Sequence, residues 1–179
     1  MKEGLFALYI KKIFYGLTNP IFYVSSLAMN FFCAAGFFLA GLFFSGTDAS
    51  NLESFFYLIS YASVIVIPLL CLFNFSGYEK LLPFPYVHLE CVKIFSVLTQ
   101  FLIILLPEFF VPLSVCFFSD VEISCVFTGF FFIMLCALAS ISLCLAVQSI
   151  VGIKSLSFLV SAVFMIFFNI FLPFRFISF

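Results

Sequence analysis

The sequence predicts an all-α, polytopic integral membrane protein, with about five transmembrane helices preceded by an amphipathic interfacial helix. Three observations carry this. Of the 179 residues, 66% are hydrophobic and only 8% are charged, against roughly 25% charged in a soluble domain. So few charges cannot cover a water-facing surface, and lipid must be the solvent for most of the chain. Apolar runs long enough to cross a bilayer recur along the sequence, separated by short polar connectors. The lysines collect in the N-terminal segment and in alternate connectors, as they do in multi-pass proteins.

Each element has its own signal, and together they form one transmembrane domain over 1–179. In 3–17, Phe6, Ile10, Ile13 and Leu17 recur at helical spacing with Phe14 beside them, while Lys11 and Lys12 point elsewhere. That pattern suits a helix lying in the membrane interface. Thr18, Asn19 and Pro20 end it, and Pro20 fits the first turn of the next helix, where its missing N–H costs nothing. The first span covers 21–44, and its Ala35, Gly36, Ala40 and Gly41 allow a close helix neighbour. The connector around Gly46 and Asp48 is the clearest loop. The second span covers 54–75 with Pro68 inside it, so neighbouring groups must satisfy the carbonyl that proline frees. The third span covers 92–118 and carries Pro107 and Pro112; the fourth covers 123–150, with Cys136, Ser140 and Cys144 as a small-residue stripe; the fifth covers 155–171.

Lys2, Lys11, Lys12, Lys80, Lys93 and Lys154 fall in the N-terminus and the second and fourth connectors, while the first and third connectors hold only acids. The positive-inside bias places the N-terminus and the segment 76–91 in the cytoplasm of a cell, or inner, membrane. Arg175 is the exception, and an interfacial or re-entrant segment accounts for it. A cleaved signal peptide is not expected, because the first long apolar run starts near Pro20 and exceeds a signal core of about 7–15 residues.

Composition also excludes function classes. A net charge of −1 argues against nucleic acid and against a polybasic lipid-binding patch. The seven cysteines include no CxxC pair, so neither a disulfide framework nor a metal site is supported, and they read as small hydrophobic filler. The single histidine, His88, has no ligand or nucleophile at useful spacing, which leaves catalysis without a constellation and argues against an enzyme.

The segment 76–91 is the most feature-rich polar interval. It holds Glu79, Lys80, Pro83, Pro85, His88 and Glu90 between two spans. A short helix along the membrane surface, from Glu79 to Lys93 and anchored by Leu81, Leu82 and Leu89, would give a soluble partner a stiff lever; an ordinary connector is the plain alternative. Within the spans, Glu108 fits either an interfacial or packing role near the outer interface or a place on a substrate path. Asn30, Gln100 and Asn169 suit interhelical hydrogen bonds, with substrate contact as the other reading for each.

The order of hydropathy and several short motifs resemble the permease subunits of ABC type-2 exporters, closest to the gliding-motility type. Lys11-Lys12-Ile13-Phe14-Tyr15-Gly16-Leu17-Thr18-Asn19-Pro20 is similar to that family's interfacial helix and its Pro-containing turn. Ser76, Gly77, Glu79, Leu81, Pro85 and Glu90 can be laid on the family's Ser-Gly-Thr-x-Glu-x-Leu-x-x-x-Pro loop, with Ser-Gly displaced by one residue. The chain departs from the family where Leu72, Phe73, Asn74 and Phe75 replace a usual cluster of Glu and Arg, and in having five expected spans where six are usual. The resemblance implies a permease with no cofactor bound directly, which agrees with the lack of a GxxxxGK[ST] phosphate loop. It implies ATP acting through a separate cytoplasmic ABC ATPase that grips the loop 76–91, including His88, together with the interfacial helix, and a second permease chain completing the path. A non-transporting assembly or scaffold subunit, or a degenerate permease, is the alternative.

Overall fold

A computed structural model describes residues 2–39, 49–73, 86–117, 122–151 and 154–171. Every secondary-structure element among them is an α-helix: α1 (Lys2–Thr18), α2 (Pro20–Leu39), α3 (Ala49–Phe73), α4 (Tyr86–Cys116), α5 (Ile123–Val151) and α6 (Lys154–Phe171). In these residues four stretches are long and apolar enough to cross a membrane, Pro20–Phe38, Phe55–Leu72, His88–Ser114 and Ile123–Val151. The chain is a multi-pass, all-α membrane protein. The expected fifth span corresponds to α6, whose described apolar portion, Leu156–Ile166, is shorter than the other four.

Helix α3 is the centre of the bundle. Two thirds of its apolar stretch (67%) is buried, against 22% for α2, and it packs against α2, α4, α5 and α6. Helix α2 lies along one side of it. Gly36, one of the small residues expected to permit a close neighbour, sits where an added Cβ would fall 2.7 Å from Leu58 Cδ1 of α3. Gly129 of α5 does the same against the Phe56 ring, 2.5 Å from its nearest carbons. Around that contact Phe56 meets Phe130 edge-on at 5.4 Å, and Phe109 of α4 meets Phe130 and Phe127 at 5.0 and 5.4 Å. Such edge-to-face pairs use the positive ring edge against the negative ring face, which adds to plain burial. The remaining apolar bulk turns outward: Leu27, Phe31, Phe131 and Val163 are all well exposed. Lipid takes up that surface, since nothing in a bilayer drives aromatic side chains inward.

Two helix starts differ from the spans read in the sequence. Helix α3 begins at Ala49 and α4 at Tyr86, five and six residues ahead of the expected spans. A surface helix from Glu79 to Lys93, separate from the third span, is therefore corrected from Tyr86 onward: those residues are the first turns of α4 itself. Pro85 stands directly before Tyr86, and proline is well tolerated at a helix start but not inside one.

Candidate functional site

The site is best built from the corner between α1 and α2. Asn19 donates its N–H to the Gly16 carbonyl (3.1 Å), accepts the Ile21 N–H on Oδ1 (3.0 Å), and accepts the Phe22 N–H on its own carbonyl (3.0 Å). It ends α1 and caps α2 at once, with Pro20 in the first position of the new helix. Helix α1 thereby folds back onto the first half of α4. The Tyr9 hydroxyl and Thr99 Oγ1 lie 2.7 Å apart, and Gln100 Nε2 donates to the Lys12 carbonyl at 3.5 Å. Gly16 is the close approach: a Cβ there would overlap the Gln100 amide. Lys12 is buried on this face and Lys11 is exposed. Phe6 and Phe14 of the apolar stripe are exposed, each 64%. The helix therefore presents its apolar side to the surroundings and its small and polar side to α4, as an interfacial helix should.

Helix α4 runs from this junction toward the loop. Leu89 is buried, His88 is exposed, and Lys93 donates to Glu90 Oε1 at 2.7 Å. Cys91 is exposed; the other six cysteines are buried or half-buried. Ser76, Gly77, Glu79, Leu81 and Pro85 lie outside the described residues. So of the expected loop, His88 and Glu90 are placed, both within two turns of the α4 start and on the segment leading to the α1 contact.

Of the candidate path residues, Gln100 and Glu108 are placed, two turns apart on α4. Gln100 is buried, and its bonds to Lys12 and to Ser96 Oγ (3.5 Å) tie α4 to α1 and to itself. Asn30 is exposed on α2 and donates to the Ser26 carbonyl of its own helix at 2.8 Å, so the expected interhelical bond is corrected to an intrahelical one. The Asn169 side chain lies outside the described residues. Glu108 is only 4% exposed. It is enclosed by the bundle, which fits the packing role. Its carboxyl faces the Cys33 thiol of α2, and Oε1 has no hydrogen-bond partner among the described residues. Pro112, four residues on, has no N–H to give the Glu108 carbonyl. The groove of about 510 Å³ between α4 and α5 is lined by Leu106, Phe109, Phe127 and Phe131 among other apolar side chains, and offers nothing to orient a polar ligand.

No family model, curated protein or solved structure matches this chain. Sequence reasoning missed Tyr9, Thr99 and Gly16 as the α1–α4 seat. The signal was present as small or polar residues at 9, 12 and 16, about one turn apart on the side away from the apolar stripe.

Proposed function

We propose that this chain is the membrane-spanning subunit of an ABC-type exporter of the gliding-motility-like class, driven by ATP hydrolysis in a separate cytoplasmic ATPase. The observation that carries the reading is the seat of α1 on α4. Tyr9–Thr99, Gln100–Lys12 and the Gly16 contact bind the interfacial helix to the helix that emerges from the loop. A partner gripping the loop near His88 and Glu90 would then move α1 and α4 together. Because α2 continues from the Asn19 corner, the displacement would reach the spans as a rigid-body motion. The lysine distribution supports a cytoplasmic N-terminus and loop in the cell membrane. ATP binding by the partner would shift the spans between inward-open and outward-open populations in proportion to its differential affinity. A second permease chain would complete the path.

Affinity purification of the tagged chain from its native membrane tests this. A soluble ATPase should co-elute, and the pair Glu79→Ala with Glu90→Ala should reduce its recovery by about tenfold, the loss expected when one or two interface contacts worth about 1.4 kcal/mol are removed. No ATPase in the eluate, or recovery unchanged by the pair, would leave the assembly-subunit reading in its place.

A further inference from the structure

Among the described residues, buried polar side chains gather away from the α1–α4 seat, along the line where α3, α5 and α6 meet. Gln148 on α5 and Ser157 and Ser161 on α6 are 8%, 1% and 1% exposed. Gln148 Oε1 and Ser157 Oγ make no hydrogen bond among the described residues, and Ser161 Oγ has the Cys144 thiol beside it. This is unusual for serine in a membrane helix, where the hydroxyl ordinarily donates back to a carbonyl one turn earlier. Ser140 does so, to the Cys136 carbonyl at 2.7 Å.

The orphaned atoms share one seam. Helices α5 and α6 are packed together and joined by two residues, so they run antiparallel. Positions flanking that turn symmetrically, Gln148 with Ser157 and Cys144 with Ser161, therefore lie at matching levels. Cys144 is fully buried, faces Ser161, and meets Cys71 of α3 thiol to thiol. From Gln148 the polar residues Cys144 and Ser140 follow at four-residue steps, which carries the seam about 12 Å along α5 at the helical rise. No side chain named here carries a charge. Unpaired hydroxyl and amide groups enclosed in a membrane protein call for a hydrogen-bonding occupant, and the neutral groups of Gln148, Cys144, Ser157 and Ser161 suit a neutral one.

We propose that the α3–α5–α6 seam is a wetted path, reaching from Gln148 and Ser157 to the level of Ser140, that accepts water or an uncharged hydroxyl-bearing group. The inference stands apart from the ATPase reading, because the purified chain alone tests it.

The native thiol at Cys144 is the reporter. Thiols react as thiolates, which need water to form. Single-cysteine variants retaining Cys144, Cys136 or Cys91 are placed in lipid nanodiscs and treated with a small hydrophilic methanethiosulfonate. Cys144 should react within about a hundredfold of the exposed Cys91 rate, and Cys136 far more slowly. Ser157→Ala with Ser161→Ala, and separately Gln148→Leu, should each slow Cys144 by about tenfold by removing the groups that hold the occupant. Two independent variants guard against one that folds poorly. Saturable slowing of Cys144 relative to Cys91 by glycerol identifies a hydroxyl-bearing solute as an occupant. No slowing identifies water alone, and both fit the proposal. It is overturned if Cys144 stays unmodified while Cys91 reacts fully, if Cys136 reacts as fast as Cys144, or if neither substitution changes the rate.

Discussion

Asn19 closes two helices with one residue. Its side chain caps the N-terminus of α2 by taking the Ile21 N–H, and its backbone N–H finishes α1 on the Gly16 carbonyl. An alanine keeps the backbone bonds and loses the cap. Asn19→Ala should therefore cost about 1 kcal/mol, read as a lower thermal midpoint in detergent or nanodiscs. Gly129 is a different kind of constraint. The Phe56 ring occupies the space a side chain there would need, and it also meets Phe130 edge-on. A ring locked between helices cannot swing away as the end of a flexible chain can. Gly129→Val should cost about 1–3 kcal/mol through overpacking, with a matching fall in the thermal midpoint. A midpoint equal to the wild type would mean that the α3–α5 contact is loose.

At the scale of elements, the seat of α1 on α4 is a coupling claim, and coupling is measurable. Tyr9→Phe and Thr99→Val each remove one side of the 2.7 Å hydroxyl pair. The double-mutant cycle in unfolding free energy should return about 0.5–1.5 kcal/mol, the usual net worth of one such bond. Independent effects would place the two side chains apart. How far these elements were legible in the sequence follows from what the sequence signals measure. Hydropathy marked the starts of α2, α5 and α6 closely, because there the apolar run begins with the helix. It placed α3 and α4 five and six residues late, because Ala49–Phe73 and Tyr86–Cys116 begin as polar helix before any apolar run starts. The stripe of Phe6, Ile10 and Phe14 gave the lipid side of α1, but the opposite side was invisible. Packing on α4 depends on Gly16 and Tyr9 meeting Gln100 and Thr99, residues more than eighty positions away. Asn30 was misjudged for a related reason. Residue type says that an intramembrane amide or acid must be satisfied or enclosed, not which helix encloses it.

On the scale of the whole molecule, the described helices fall into two working parts. Helix α3 with α2, α5 and α6 forms a packed bundle whose outward surface carries many aromatic and aliphatic side chains. Helix α1 and the first turns of α4 form a shoulder beside it, where Lys11, His88 and Cys91 are exposed and Glu90 is half-buried against Lys93. The proposed function requires that this shoulder be cytoplasmic and that an ATPase cover it. Cys91 is well placed to report both, being the exposed cysteine of the seven. The deciding measurement is the rate at which a membrane-impermeant maleimide modifies Cys91 in inverted membrane vesicles, with and without the co-purifying ATPase. Modification from the cytoplasmic face, slowed about tenfold or more by a bound partner that blocks access, is the predicted result. Modification only from the opposite face, or a rate indifferent to the ATPase, would contradict it.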